Sequence, residues 1–483
     1  MMTPARAGQA KARAEGASRL HTARAPSTAS SPVGAGFRSA GLWFSQPAGG
    51  PAGRRAACEQ AAALPHSPDM KLAVAVGLLL LVVWGVFVTF PTVPAGVARL
   101  TDAPPVPVFS GPRPHPTPGG EIFEQPTVVD FELRFPPASR RALRENAREY
   151  APATVLVNGV EFTNVAVKLK GAAGSFRGLD DRPALTLSFN KHVEGRRVFG
   201  LRRLHLNNSV QDPSYLSEYV GSALFRAAGI PTPRVAWATV RLDDRPLGLY
   251  VLKEAFEKEF LRCHFEQTDG NLYDGGFLSD VDRPLERDGG FGPADHADLE
   301  ALADAAREND PARRWQRLQE VLDVERFATY AALSVMLVDW DGYPLNRNNY
   351  RVYFNPADGR AVFMPHGMDQ LFQRTYLELD QGWAGLVAWA VFSTEPGQAL
   401  YEARCRTLFT NLFTLDRITN LVERAAAVLA PVVPDMPMRA VSFTDQVTWR
   451  LRALRRDPLL QPPAPVTAVA GNAPAGSPAA ATP

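Results

Sequence analysis

Residues 339–372 read DWDGYPLNRNNYRVYFNPADGRAVFMPHGMDQLF, and this stretch determines how the rest of the chain is interpreted. Apolar and aromatic residues over Arg351–Phe354 predict a strand, and Asn355–Gly359 predicts a turn. Ala361–Met364 predicts the returning strand. The stretch is therefore predicted to form an antiparallel hairpin preceded by an Asn-rich loop.

Acidic and amide side chains are expected to lie at the open end of this hairpin. Facing residues of a hairpin lie about 5 Å apart, so counting outward from the turn places Asn349 beside Pro365, with Asp369 a few residues beyond. Protein kinases also use an Asp, an Asn and a second Asp around a short hairpin: one acid orients the attacking hydroxyl, and the other two groups hold magnesium. Magnesium prefers oxygen ligands, needs few from the protein and keeps several waters. The alternative is that these residues only cap turns.

The composition limits the classes of protein to which the chain can belong. The chain has 483 residues, of which 46% are hydrophobic and 21% charged, enough to bury a core in one large or two smaller units. A net charge of +2 argues against nucleic acid as a partner. Of the cysteines, Cys263 and Cys405 would be able to pair if the domain that contains them is exported.

The N-terminal hundred residues predict a membrane anchor. Residues 1–69 are rich in Ala, Gly, Ser and Arg and are predicted to be disordered or untranslated, with Met70 as the true start. Residues 70–92 contain Lys71 followed by an uncharged apolar run, which is typical of a signal anchor. Because Val93–Ala95 is a poor cleavage site, an anchored and exported domain is favoured over a protein secreted after signal cleavage.

Proline-rich segments flank the predicted folded region. Residues 93–126 are predicted to be a linker, in which Pro104–Pro118 forms a stiff, extended spacer. Residues 460–483 form a Pro/Ala tail with nothing to bury.

Residues 127–290 are predicted to be rich in β-hairpins. Asn158-Gly159 is the strongest hairpin signal, between predicted strands Ala153–Val157 and Val160–Leu169. The other predicted strands are Thr127–Phe135, Pro183–Phe189, Arg234–Leu242 and Leu247–Leu252. Helices are predicted over Pro137–Tyr150, from Asp212 to Gly229, and over Ala255–Phe265. Glu218 falls opposite the apolar stripe of its helix, so it points at a cleft or at water, and water is favoured.

Residues 291–459 are predicted to be mainly helical around the catalytic hairpin. The predicted helices are Ala297–Glu308, Pro311–Val321, Val324–Val338, Ala384–Phe392, Pro396–Leu415 and Asp416–Val432. A β-rich half followed by a helical half predicts an α+β fold with the two-lobed outline of protein kinases.

A turn of small residues follows one predicted strand. Lys168-Leu169-Lys170-Gly171 leads into Ala172–Ser175. Backbone N–H groups of such a turn can approach phosphate, with a lysine nearby as a point charge. The alternative is a turn with no ligand.

Several short motifs occur in the same order along the chain as they do in a known protein family. They are Val167–Gly171, Gly229–Arg234 (GIPTPR), Gly248–Val251 (GLYV), Asn271–Tyr273 (NLY), DWDGY, NNYRVY and PHGMDQ. With these motifs, the chain from Val128 to Val432 resembles the CotH kinase family, the spore-coat protein H type of atypical secretory kinase-like proteins. The resemblance implies a fold distantly similar to protein kinases. It also implies ATP- and magnesium-dependent transfer of phosphate to Ser or Thr hydroxyls of an envelope or secreted protein.

The resemblance also implies roles for particular residues. Asp341 matches the catalytic acid and Asp369 the metal-binding acid after the hairpin. Asn349 and Asn346 match the metal-side amide, and Asn346 follows Asp341 at the spacing of the kinase catalytic loop. Glu254 matches the acid at a strand end near the expected adenine site.

Two positions depart from the family pattern. Gly367 stands where many members have the first acid of a D-x-D motif, so that Asp369 alone remains. The strand over Arg182–Ser188 lacks the family's lysine, so Lys168 or Lys170 would have to contact the phosphates. A catalytically inactive binding or scaffolding protein of the cell envelope is therefore the alternative hypothesis.

Overall fold

A computed structural model describes residues 117–374 and 377–461 of the chain. The predicted extension, the anchor at 70–92 and nearly all of the tail lie outside these residues. No helix within the described ranges is long and apolar enough to cross a membrane. Part of the predicted linker is folded, because residues Gly120–Phe123 form a short helix, α1, with Ile122 and Phe123 buried.

Seven strands of the N-terminal half close into a barrel in the order β1-β2-β3-β4-β5-β7-β6. They are β1 (Val128–Arg134), β2 (Ala151–Val157), β3 (Val160–Lys170), β4 (Ala184–Ser188), β5 (Arg203–Asn207), β6 (Val235–Leu242) and β7 (Arg245–Glu254). The predicted hairpin at Asn158-Gly159 is confirmed, with φ angles of 48° and 79° that suit a two-residue turn. Closure comes from the parallel pairing of β1 with β6.

The barrel interior is apolar, and its outer face beside the helices is polar. Leu204, Leu206 and Leu252 belong to the buried cluster that fills the barrel. Side chains alternate between the two faces of a strand. The neighbouring residues His205 and Lys253, which are paired across β5 and β7, therefore lie on the outer face.

A second sheet combines strands from both halves of the chain in the order β11-β10-β8-β9. These strands are β8 (Leu272–Asp274), β9 (Glu286–Gly289), β10 (Tyr350–Asn355) and β11 (Arg360–Pro365). The predicted central hairpin is confirmed as β10 and β11, but its predicted register is wrong by one residue. Tyr350, rather than Asn349, faces Pro365, because Asn355 pairs with Arg360 and only four residues form the turn.

The remaining elements are helical, and they make the C-terminal half predominantly α. They are α2 (Pro137–Glu145), α3 (Ser217–Ala227), α4 (Lys258–Arg262), α5 (Ala297–Ala306), α6 (Pro311–Val321), α7 (Val324–Met336), α8 (Tyr343–Asn346), α9 (Leu386–Phe392), α10 (Glu395–Asn411), α11 (Leu415–Leu429) and α12 (Met436–Leu454), followed by a 3₁₀ turn at Pro458–Leu460. The mixed α+β class, with a strand-rich N-terminal half, is confirmed.

Two local predictions need correction. The helix expected from Asp212 begins at Ser217, because the Asp212 carboxylate accepts hydrogen bonds from the backbone of Ser214 and Ser217 and holds a turn before the helix. Cys263 and Cys405 are both buried and are not joined by a disulfide, so the suggested pairing does not form.

Candidate active site

A cavity of about 330 Å³ lies where the outer face of the barrel meets the second sheet and the loop before β10. Its polar lining comes from six segments of the chain: Lys170, Asn207, Glu218, Asp274, Asp341, Asn348, Asn349, His366 and Asp369. Four of the predicted site residues, Lys170, Asp341, Asn349 and Asp369, therefore meet in one cavity. We call it the active-site cavity.

Asp341 is held by three asparagine amides. Asn346 Nδ2 donates to its Oδ1 atom at 2.6 Å, and Asn349 Nδ2 donates to its Oδ2 atom at 2.8 Å. Asn348 Nδ2 lies 3.2 Å from both oxygens. The loop reaches this arrangement with left-handed φ angles of 53° at Arg347 and 50° at Asn349, a conformation uncommon for residues other than glycine.

The three amides fix the direction of the Asp341 carboxylate. Asn346 binds the Asp341 carboxylate but does not line the cavity, whereas Asn349 does both. Because Asn349 uses Nδ2 to bind Asp341, its Oδ1 atom is the oxygen available to a cation. Asn348 was not among the predicted site residues, although its place between Arg347 and Asn349 in the Asn-rich loop was a usable signal.

Gly367 adopts a φ of 59°, and its position explains the missing acid of the family motif. A Cβ atom at residue 367 would lie 2.5 Å from Asn349 Oδ1, far inside van der Waals contact. In this conformation the Asn349 amide occupies the space that a side chain at position 367 would need. Asp369 remains as the acid that lines the cavity after the hairpin.

A chain of buried polar contacts crosses the cavity wall. Lys170 Nζ donates to Asn207 Oδ1 at 2.5 Å, and Asn207 Nδ2 donates to Glu218 Oε1 at 2.9 Å. Glu218 Oε2 lies 3.1 Å from Lys253 Nζ, and the side chains of this ion pair are only 2% and 0% exposed. Glu218 thus points into the protein at the cavity, and the expectation that it faces water is wrong.

Two residues predicted to bind nucleotide lie elsewhere. Lys168 is two positions, about 7 Å, along β3 from Lys170, and its Nζ atom lies 5.0 Å from the ring centroid of Tyr150. Glu254 is buried and forms a two-pronged ion pair with Arg234, with N···O distances of 2.9 and 2.6 Å. Neither side chain lines the cavity.

Two buried acids, Asp369 in the cavity and Asp339 near it, have a raised pKa. Burial, together with Glu218 and Asp212 nearby, raises the pKa of Asp369 to about 7. Burial, together with Asp341 and Asp369, raises the pKa of Asp339 to about 8. The Oδ2 atom of Asp339 is buried without a hydrogen-bond partner. A cation in the cavity would relieve this repulsion.

The donors suit a hard cation that keeps much of its own hydration. No cluster of three or more His, Cys, Asp or Glu side chains that would hold a metal occurs among the described residues. Magnesium needs only one or two carboxylates when phosphate oxygens and waters complete its shell. Asp369 and the Asn349 amide oxygen are sufficient protein ligands for such an ion.

The buried ion pair predicts a measurable effect on stability. Lys253→Met should lower the free energy of unfolding by about 3–5 kcal/mol, because Glu218 then keeps a buried charge without its cation. Lys253→Met/Glu218→Gln should recover most of that loss, since Gln still accepts from Asn207. Urea denaturation gives both values.

Lys258→Met is the matched control for this prediction. Lys258 pairs with Asp269 at the surface, where the side chains are 30% and 67% exposed, so its loss should change stability by less than about 1 kcal/mol. Equal effects of Lys253→Met and Lys258→Met would contradict a structural role for the buried pair.

Comparisons with known proteins agree on one family. A family model described as CotH kinase protein matches residues 167–454. Inner spore coat protein H of Bacillus subtilis is 23% identical over 277 residues, which cover 52% of this chain and 75% of that protein. Invasin CotH3 of Rhizopus delemar is 21% identical over 234 residues, which cover 44% of this chain and 37% of that protein.

Solved structures also match, and one of them illustrates the low level of similarity. It is the Helicobacter pylori proinflammatory kinase CtkA, with 9% identity over 59% of this chain and 96% of that chain. The TM-score is 0.26, which does not define a shared fold.

Proposed function

The chain belongs to the CotH kinase protein family, and we propose that it is an ATP- and magnesium-dependent kinase. It transfers phosphate to a Ser or Thr hydroxyl of an envelope or secreted protein. In this proposal the barrel and the helical half take the parts of the two lobes of a protein kinase, with the active-site cavity between them.

One observation carries the proposal: the active-site cavity joins an oriented acid, a second acid and a buried lysine–glutamate pair. Protein kinases need a Lys–Glu ion pair and a magnesium-binding Asp in place before phosphate is transferred. Lys253 and Glu218 supply such a pair, and Glu218 lines the cavity. This pair supports a phosphate site even though the family's strand lysine is absent.

Asp341 is the residue placed to act on the attacking hydroxyl. Its carboxylate faces the cavity and is fixed by the amides of Asn346, Asn348 and Asn349. An acid oriented in this way can accept a hydrogen bond from a Ser or Thr hydroxyl and direct the lone pair of that oxygen toward the phosphate. The positioned carboxylate would take up the hydroxyl proton as transfer proceeds.

Asp369 and Asn349 would hold magnesium. When bound, the ion would neutralise charge that develops on the transferring phosphate. Asp369 must be ionised for this role, and its pKa of about 7 would fall in the presence of a divalent cation.

Lys170 lines the cavity and would provide the positive charge for the phosphates, whereas the fully buried Lys253 would act through its ion pair with Glu218. Burial and the neighbouring Lys253 lower the pKa of Lys170 to about 8, so it is still mostly protonated at neutral pH. Phosphate oxygens close to Lys170 would favour its charged form further. The Gly171–Ser175 turn beside Lys170 also borders the cavity and would cover the phosphates.

The proposed location follows from the N-terminal sequence and from the relatives. The signal anchor predicted at residues 70–92 would hold the domain at a membrane on the exported side. The relatives are named as an inner spore coat protein and an invasin, which supports substrates outside the cytoplasm.

A binding or scaffolding protein without activity is the second candidate function. The observation that favours it is Gly367, which leaves Asp369 as the single acid of the family's D-x-D motif. Both candidates use the same cavity, but only the kinase requires Asp341.

Phosphate transfer tests the proposal directly. The purified full-length chain, incubated with γ-labelled ATP, magnesium and a degenerate Ser/Thr peptide library, should label the library and lose this activity when EDTA is added. Absence of labelling, with ATP binding retained, would favour the scaffolding function.

A further inference from the structure

We propose that a groove beside the active-site cavity binds the substrate segment next to the acceptor hydroxyl and selects an acidic residue together with a bulky apolar one. This inference rests on the proposed kinase function and specifies its substrate class. The docking groove has a volume of about 360 Å³. It is lined by Leu278, Asp280, Asp282, Arg283, Arg347, Trp383, Ala384, Leu386 and Trp389.

Residues adjacent in the chain line the docking groove and the active-site cavity. Arg347 lies between Asn346 and Asn348, which both donate hydrogen bonds to Asp341, so the catalytic loop forms a wall of both spaces. On the other side, Phe277 lines the cavity and the next residue, Leu278, lines the groove. A peptide whose hydroxyl reaches Asp341 would therefore place its neighbouring residues near the groove.

The lining of the docking groove is mainly polar but includes the side chains of two leucines and two tryptophans. Leu278 and Trp389 are 44% and 46% exposed, and Phe277 at the junction is 58% exposed. Trp383 is fixed by ring contacts to Phe392 and Tyr401, with centroids 4.7 and 5.1 Å apart. Two tryptophans and two leucines can enclose a large apolar side chain without rearranging.

The two acids of the docking groove are already satisfied. Asp280 accepts hydrogen bonds from the Tyr343 hydroxyl at 2.9 Å and from the backbone N–H of Leu386 at 2.8 Å. Asp282 forms an ion pair with Arg307 at 2.6 Å. Neither carboxylate is therefore available as the main partner of an incoming basic residue.

The two arginines of the docking groove have unused donors. The side chain of Arg283 is 74% exposed and its nearest acid, Asp282, is 3.9 Å away. Arg347 is exposed, and within residues 117–374 and 377–461 no acid forms an ion pair with it. An arginine offers parallel N–H donors that match a carboxylate. The accessible charge of the groove is thus positive and complements an acidic side chain.

Peptide binding tests this inference without any phosphate transfer. Two fluorescent dodecapeptides would share a central Ser and flanking Leu and Trp residues but carry either Glu or Lys at the remaining flanking positions. By fluorescence anisotropy on the full chain, the Glu peptide should bind at least about tenfold more tightly than the Lys peptide. Arg347→Ala should reduce binding of the Glu peptide about tenfold and leave the Lys peptide unchanged.

Other variants separate a local charge effect from unfolding. Arg283→Ala should weaken the Glu peptide in the same way, and Arg347→Glu should move the preference toward the Lys peptide. Arg360→Ala, which removes an exposed arginine at the far end of the same hairpin, should change neither affinity.

The outcomes distinguish this inference from the proposed function. The docking proposal would be overturned if the two peptides bind equally or if the Lys peptide binds more tightly. It would also be overturned if folded Arg347→Ala and Arg283→Ala keep the preference of the parent. Each of these results would count against the groove even if the chain labels peptides. Selective binding of the Glu peptide by a chain that transfers no phosphate would support the groove and count against the kinase.

Discussion

Asp341→Asn should lower the rate of phosphate transfer by roughly 10²–10⁴-fold and leave the affinity for ATP with magnesium nearly unchanged. In the proposed mechanism the carboxylate acts on the attacking hydroxyl and this interaction strengthens in the transition state, so its loss should affect the rate more than binding. Asn preserves the size of the side chain. Initial rates and a magnesium-dependent thermal shift with ATP measure the two quantities separately.

Asp358→Asn is the matched control for Asp341→Asn. Asp358 is an exposed acid in the turn of the same hairpin, so its substitution should leave rate and binding as in the parent. Circular dichroism should show that both variants are folded. Full activity in Asp341→Asn would remove Asp341 from the reaction.

Asp369→Asn should lose both phosphate transfer and the magnesium-dependent thermal shift. Asp369 is the one carboxylate after the hairpin that lines the active-site cavity, and an amide in its place is a much weaker ligand for magnesium. Titration of the parent with ATP at fixed magnesium, compared with the variant, measures the loss. If Asp369→Asn binds ATP with magnesium as the parent does, Asp369 is not a metal ligand.

Stability without ligand distinguishes loss of binding from loss of folding in Asp369→Asn. The pKa of Asp369 is raised to about 7 in the folded protein, so ionising this group destabilises the fold progressively as pH rises from about 4 to 7. Asn cannot ionise and escapes this cost. The variant should therefore melt at the same temperature as the parent or higher at pH 8, without nucleotide.

Local pattern was enough to predict the residues around the hairpin. Alternating apolar residues and the NPADG turn defined both strands, and Asp341 and Asp369 then had to lie near its open end. The register was shifted by one because the pairing of Asn355 with Arg360 depends on backbone geometry within the turn. Asn348 was missed because its contact with Asp341 requires the left-handed backbone of its neighbours.

The buried ion pair between Lys253 and Glu218 could not be predicted in the same way. Lys253 lies between Leu252, whose side chain is inside the barrel, and Glu254, which the family resemblance placed near the adenine site. The partner of Lys253, Glu218, belongs to a helix whose apolar stripe gave no reason to bury the opposite face. Their contact joins segments that only the closed barrel brings together.

Two larger elements were missed for similar reasons. The closure of the barrel depends on pairing between β1 and β6, which are separated by about a hundred residues, and no local pattern encodes it. The helix α12 buries Arg450, whose guanidinium donates to the carbonyls of Met336, Val335 and Leu377. A charged residue on the buried face interrupts the apolar periodicity by which helices are predicted.

Nucleotide binding by the unmodified chain tests the central claim most directly. The melting temperature of the full chain should rise by several degrees with ATP and magnesium together, since a ligand at about 100 times its Kd stabilises a protein by about 2.7 kcal/mol. Magnesium alone, or ATP with EDTA, should produce little change. An identical melting temperature under all of these conditions, at ATP concentrations up to the millimolar range, would contradict the assignment of this cavity as a magnesium–ATP site.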